Sequence, residues 1–219
     1  IFISVAGTVG SKKEGELNED VSYQAPSDFT SLTMKFESEN IIMSYLKQGL
    51  PGIILNPCLA FGPHDTKPSS GKYLIVLSKL PFYIFKNHII NIIDVRDIAD
   101  TVFKSVAMGK EGNRYLVGSL NITVGEFQDK ICEIVGKRKP FFSMPDQLTV
   151  LFAYFTEYVG KFLGHKSPAI PILSLDILRY GNKADFSFEK IKEDLEFTPT
   201  DPFNGVREAI YWFKENKML

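Results

Sequence analysis

Lys35 stands four residues after Ser31 in the stretch Ser31-Leu32-Thr33-Met34-Lys35-Phe36-Glu37-Ser38-Glu39-Asn40, and on a helix that spacing stacks both side chains on one face. An ammonium group so placed can hold a phosphate or another oxygen acceptor. Beside a phenol it would favour the phenolate and lower a pKa that starts near ~10 toward the operating range. The neighbour here is an aliphatic hydroxyl, a far weaker acid on a shorter side chain. No other register supplies the phenol. The residues four after Tyr23, Tyr45, Tyr73, Tyr83, Tyr115, Tyr154, Tyr158, Tyr180 and Tyr211 are Ser27, Gly49, Leu77, Asn87, Ser119, Tyr158, Phe162, Ala184 and Glu215, none of them lysine. His64, His88 and His165 lack the spacing of a metal site and are expected in loops. Gly7-Thr8-Val9-Gly10 follows a strand as a phosphate-binding turn would, but the next expected glycine is Lys13, and the polar run Ser11 to Asp20 cannot supply an apolar helix face.

The elements that must position these groups follow from periodicity and punctuation. Ile1-Phe2-Ile3-Ser4-Val5 predicts a strand, and Gly7 to Asp28 a polar surface loop. Ser27 or Asp28 can cap a helix with apolar positions Leu32, Phe36, Ile41, Ile42, Tyr45 and Leu46, stopped by Gly49. Gly52 to Asn56, bounded by Pro51 and Pro57, has the apolar run of a strand covered on both faces in a parallel sheet. Leu59 to Ser70 reads as a turn-rich loop and Gly71 to Leu80 as a helix, with strands at Phe82 to Phe85 and Ile89 to Ile93. Asp94 opens a helix over 95–108 with Ile98, Val102 and Val106 on one face and Gly109 as its stop, and Tyr115 to Val117 is a short buried strand. Thr123 and Glu126 make a capping box for a helix with Phe127, Ile131 and Ile134 inward. The last third predicts helices near 146–164, 172–180, 187–195 and 202–216, with Pro168 and Pro171 in a connector.

The totals bound the function classes. Lys plus Arg (25) against Asp plus Glu (26) gives a formal charge of -1, which points away from a nucleic-acid partner. Cys58 and Cys132 lie far apart in apolar surroundings and are expected as reduced, packed residues of a cytoplasmic protein. The longest apolar run, Leu148 to Leu163, is interrupted by Glu157 and Lys161 and falls short of the ~20 residues of a transmembrane segment. It predicts a buried or groove-lining helix, with an interfacial membrane helix as the alternative. A chain that starts inside an apolar strand predicts a preceding segment.

Several stretches, in order, carry a resemblance. They are Phe2 to Gly10, Lys35 with Glu39, Leu50-Pro51-Gly52-Ile53-Ile54-Leu55-Asn56-Pro57, and Phe61-Gly62-Pro63-His64-Asp65-Thr66-Lys67-Pro68. Ile92 to Ala99, Asn113 to Gly118, and Ser187 to Pro199 with Gly205-Val206 and Ala209 to Asn216 continue it. Together they resemble the extended short-chain dehydrogenase/reductases, and within them the dihydroflavonol-reductase-like and hopanoid-associated sugar-epimerase-like branch. The resemblance implies an NAD or NADP cofactor and a catalytic tyrosine four residues before the lysine, the position of Ser31. It also implies a serine or threonine five residues before Gly10, the position of Val5. Lys35, Asn56 and Pro57 would face the cofactor, and Phe61, His64, Asp65 and Phe82 would line the substrate loop. The family's opening strand, glycine-rich turn and helix have no counterpart here.

The expected fold is α/β: the rear half of a Rossmann-type parallel sheet (1–56 and 89–119) with a smaller, C-terminal substrate-side lobe (57–88 and 120–219). The expected function is an NAD(P)-dependent reductase or epimerase-like protein acting on a small-molecule carbonyl or sugar, catalytically degenerate or incomplete in this chain. The alternative is a non-catalytic scaffold or assembly subunit. A half sheet predicts a partner at its open edge, either a separate segment carrying the dinucleotide-binding half or another copy of the chain.

Overall fold

A computed structural model of the chain describes residues 1–10, 15–21, 30–162 and 185–219. Its first sheet is parallel and ordered β1 (Phe2–Ile3), β3 (Ile54–Pro57), β6 (Arg114–Val117). Phe2 faces Ile54 and Ile3 faces Leu55, while Leu55 faces Tyr115 and Asn56 faces Leu116. Ile54, Leu55, Tyr115 and Leu116 have no exposed surface, as their continuous apolar runs require of a strand covered on both faces. β1 is an edge among the described strands, and its Ile3 is 55% exposed.

Helix α1 (Thr30–Lys47) joins β1 to β3 and ends as its sequence dictates. Gly49 takes φ +97, a left-handed value that costs glycine little, and its amide donates to the Leu46 carbonyl at 3.0 Å. Two of the expected inward positions of α1, Ile41 and Tyr45, are exposed, because the described chain covers only one flank of the helix.

The second sheet runs β4 (Leu59–Phe61), β5 (Ile89–Asp94), β7 (Leu120–Thr123), with β4 parallel and β7 antiparallel to β5. It has its own core, where Phe61, Ile90 and Ile92 meet helices α2 (Gly71–Leu77) and α4 (Val124–Val135) and the helix near the C-terminus described below. The capping box of α4 is present as read, with Thr123 accepting from the Glu126 amide and Glu126 accepting from the Thr123 amide. Thr123→Ala removes both reciprocal contacts of the hydroxyl, and urea denaturation should show a loss of about 1 kcal/mol.

Several local expectations are corrected. Gly7 to Asp28 is not all surface loop: Leu17 and Glu19 are buried, and β2 (Glu16–Leu17) pairs in parallel with β8 (Asp185–Phe186). Leu59–Phe61 is a strand rather than loop, because β3 runs on almost directly into the second sheet. Phe82 to Phe85 is not a strand, its one pairing being a bridge between Tyr83 and Ser143.

Helix α3 (Val95–Met108) begins and ends as read, but Val106 is exposed. Its fully buried line is polar: Asp97, Thr101 and Ser105. Thr101 and Ser105 donate to carbonyls one turn back, and Asp97 accepts from the Thr200 amide at 3.0 Å, so this line is buried with its hydrogen bonds made.

Helix α5 (Asp146–Phe162) is not a buried helix, since Leu148, Leu151, Tyr154, Phe155 and Tyr158 are exposed. Helices α6 (Glu189–Leu195) and α7 (Pro202–Glu215) close the chain on the first and second cores respectively. The expected helix at 172–180, the connector prolines and the cap at Ser27 or Asp28 lie outside the described residues. Among the described residues no helix is long and apolar enough to cross a membrane.

Candidate functional site

Three elements converge on one carboxylate. Glu39, on α1, is 2% exposed although the helix around it is largely solvated. One of its oxygens accepts from the Thr8 hydroxyl at 2.6 Å and from the Asn56 side-chain amide at 2.8 Å. The other accepts from Arg114 at 3.3 Å. Thr8 belongs to the single 3-10 turn Ala6–Thr8 that follows β1, Asn56 to β3, and Arg114 to β6. The cluster therefore pins α1 to the whole first sheet.

Its hydrogen bonding explains why these residue types can be buried. Asn56 is fully enclosed, and its amide nitrogen also lies 2.9 Å from the Thr8 hydroxyl oxygen and 3.2 Å from the Val5 carbonyl. The Thr8 hydroxyl is 2.7 Å from the same carbonyl, so its one proton is shared between Val5 and Glu39. Arg114 also donates to the Glu19 carbonyl, and the Glu19 carboxylate accepts the Leu116 amide at 2.7 Å on the free edge of β6. Glu19 thus satisfies a strand edge that would otherwise be bare. The Asn56 side-chain oxygen has no partner among the described residues.

Sequence reasoning expected Lys35 and Asn56 to face a cofactor and did not single out Thr8, Arg114 or Glu19. The available signal was Glu39 itself, a carboxylate one helical turn beyond Lys35, which from sequence alone cannot be told from a solvated charge. Lys35 and Ser31 share α1 with it. Lys35 is exposed, and its side chain makes no hydrogen bond or ion pair among the described residues. Val5 is half-buried just before the 3-10 turn, while Ser4 is buried against Thr8, 3.4 Å between their oxygens. Pro57, half-buried, ends β3.

The residues expected to line a substrate loop lie elsewhere. Phe61, His64 and Asp65 line a cleft of about 250 Å³ whose other walls include Gly71, Val95, Ala209 and Phe213, and none of Lys35, Asn56 or Pro57 borders it. His64 is exposed, with its ring 6.0 Å from Trp212. Phe82 stacks with Phe142 and Phe152 instead. His88 is not a free loop residue: it is buried, with Nε2 3.2 Å from Asp146. Among the described residues no His, Cys, Asp and Glu are grouped so as to hold a metal ion.

Electrostatics bear on proton transfer. A tyrosine acting as acid or base needs its pKa brought down toward neutrality. Tyr83 is instead pushed up to about 12 by the hydrogen bond it donates to Asp129 and by burial. Tyr115 is pushed up to about 12 by burial and by its hydrogen bond to Asp194 at 2.9 Å. Burial also raises both free thiols, Cys58 strongly, which holds them protonated and poorly nucleophilic.

A dinucleotide needs free amide donors at a glycine-rich turn opening a helix. The turn Gly7 to Gly10 does not fit that need. Thr8 and Val9 are fully buried, and their amides are taken by the carbonyls of Val5 and Ala6 at 3.1 and 3.0 Å. That turn therefore offers no cradle for a pyrophosphate.

No protein-family model matches the chain. It is 26% identical over 224 residues to a putative dihydroflavonol 4-reductase of Synechocystis sp., covering 99% of this chain and 64% of the relative. It is 25% identical over 223 residues to sterol demethylase protein B of Methylococcus capsulatus, covering 100% of this chain and 67% of the relative. Among solved structures, a nucleoside-diphosphate-sugar epimerase from Pseudomonas aeruginosa superposes with a TM-score of 0.76 at 18% identity, over 99% of this chain and 67% of that one. A dTDP-glucose 4,6-dehydratase from Bacillus anthracis, solved with NAD, superposes at 0.67 and 19% identity, over 98% of this chain and 61% of that one. The chain spans about two thirds of the length of the curated relatives it matches. The epimerase and dehydratase superpositions establish a Rossmann-type fold over the part present. In sequence the chain is similar to a putative dihydroflavonol 4-reductase and to a sterol demethylase protein, and in fold to a sugar epimerase and a dehydratase.

Proposed function

We propose that the chain is the rear part of an NAD(P)-dependent reductase or epimerase fold and that, by itself, it does not carry out the reaction. The carrying observation is the helix α1, where a serine stands one turn before Lys35 at the position in which the resembled family places its tyrosine. The upward shifts of Tyr83 and Tyr115 support the same reading, since neither is a ready substitute acid. In a completed protein Lys35 would meet the cofactor ribose, with Asn56 and Pro57 behind the nicotinamide, and the cleft at Phe61, His64 and Asp65 would take part of a small carbonyl or sugar-linked substrate. The names of its relatives, a flavonol-type reductase and a sterol demethylase component, favour a substrate of substantial apolar area. A non-catalytic assembly role is the second reading, favoured by Val5 and Ser31 together. The open edge of β1 would receive a segment bearing the dinucleotide-binding half or another copy of the chain. Two free cysteines favour a reducing compartment, which we take to be the cytoplasm.

Fluorescence titration of the 219-residue chain with NAD+, NADP+, NADH and NADPH should show no saturation in the micromolar range. Micromolar binding would contradict the absence of a cradle. In a chain completed with a glycine-rich front half, Ser31→Tyr with Val5→Ser should raise carbonyl reduction by about 10²-fold or more, the scale of positioned acid catalysis. No rise would favour the assembly role.

A further inference from the structure

We propose that the chain docks on an anionic lipid surface through Phe141, Phe142 and the outer stripe of α5. The inference is independent of the reading of the Lys35 site. Leu148, Leu151, Phe155 and Tyr158 recur at intervals of three and four along α5, which places them on one side of the helix, and all four are exposed. Phe141 is 84% exposed and Phe155 62%. The two regions form one surface. Phe141 lies 4.9 Å from Phe142, Phe142 lies 5.4 Å from Phe82, and Phe82 meets the α5 residue Phe152 edge-on at 6.3 Å. A contiguous apolar patch of this kind marks an interaction site, and aromatic rings are favoured where an apolar layer meets water.

The charges beside the patch select the partner. Lys137, Arg138 and Lys139 immediately precede Pro140 and Phe141, and all three are exposed. Lys86 is exposed over the Tyr83 ring, 4.6 Å from its centre. Tyr83 is itself joined to the patch, its amide donating to the Phe142 carbonyl at 2.9 Å. Asp129 and Asp146 lie at this end. Asp129 is held by Lys139 at 3.1 Å and by Tyr83, and Asp146 is paired with His88. Lys139 is taken up by Asp129, and Lys86, Lys137 and Arg138 form no ion pair among the described residues. A symmetric contact between two copies would bring the cations of each against the other, whereas an anionic bilayer neutralises them while the rings enter the headgroup and acyl boundary.

Co-sedimentation of the 219-residue chain with vesicles tests the proposal. Binding is expected to vesicles of phosphatidylcholine with phosphatidylserine, weaker to phosphatidylcholine alone, and reduced as salt is raised. Phe141→Asp with Phe155→Asp should lower affinity at least tenfold. Arg138→Ala should lower it about fivefold, the factor that corresponds to about 1 kcal/mol per cation near the surface. These side chains are exposed, so melting temperatures should not change; the lipid and salt dependence of the unaltered chain tests the idea without any variant. Failure to sediment with phosphatidylserine vesicles, or equal binding to both vesicle types, overturns it. So does light scattering that shows a dimer which Phe141→Asp with Phe155→Asp dissolves, because the patch would then belong to a second copy.

Discussion

Glu39→Ala is expected to lower stability by about 3 kcal/mol in urea denaturation. The carboxylate is almost wholly buried, and its removal takes an acceptor from the Thr8 hydroxyl and the Asn56 amide and the counter-charge from the Arg114 guanidinium, which keeps only its carbonyl contacts. Breaking one side of such a cluster leaves a desolvated charge without a partner, which costs more than the cluster contributes as a whole. Glu39→Gln should lose less, because one amide oxygen can still accept from Thr8 or Asn56. A double-mutant cycle with Arg114→Met would then read the coupling. A coupling near zero would show that Arg114 is held instead by the Glu19 carbonyl and the water it reaches. The functional consequence follows from position: Lys35 sits one turn from Glu39, so loosening this joint should blur any cofactor contact that Lys35 makes in a completed protein.

Asp94→Ala should cost about 2–4 kcal/mol, summing a lost helix cap and stranded buried donors. Asp94 has no exposed surface, caps α3 through the Arg96 amide at 2.9 Å, and binds the Arg96 guanidinium at 2.6 and 2.9 Å. Arg96→Ala should also destabilise, because it leaves the buried carboxylate with backbone donors alone. The same carboxylate lies so close to Gly205 that a Cβ there would meet both Asp94 and the Phe61 carbonyl, so Gly205→Ala should destabilise through the same joint.

Burial alone would raise the Asp94 pKa, but its hydrogen bonds to Arg96 and the Arg96 charge hold it below the ordinary carboxylate value. Asp129 and Asp194 are also held low. Burial opposes the contacts to Tyr83 and Lys139 at Asp129, and the Lys110 contact leads at Asp194. A carboxyl lowered on folding stabilises the native state above its unfolded pKa of about 4 and loses that contribution as pH falls through the folded value. Melting temperature should therefore be level from neutral pH down to about 5 and fall below about 4. Asp94→Asn should flatten that acid limb, and an unchanged limb would assign it to other groups.

Local chemistry was enough to read those elements whose signal lies within a few residues. The Thr123 and Glu126 box, the Gly49 stop, the Asp94 cap and the buried run at Ile53 to Asn56 each follow from backbone donors, dihedral freedom or apolar continuity that no distant residue alters. The reading of Ser31 as a poor acid is equally local, since the chemistry of a hydroxyl does not depend on the fold. What the folded chain alone decided is which charges and apolar side chains find cover. Glu39 and Glu37 are both carboxylates on α1, yet only Glu39 meets Thr8, Asn56 and Arg114, residues separated from it by up to 75 positions. Leu17 is buried inside a polar stretch because a strand from residues 185–186 pairs beside it, and α3 buries a polar line because Thr200 returns to meet it. The apolar run of α5 could have been core, but the described chain leaves its stripe in the open. Burial is a property of what comes to lie against a side chain, and those partners are set by long-range packing rather than by neighbours in sequence.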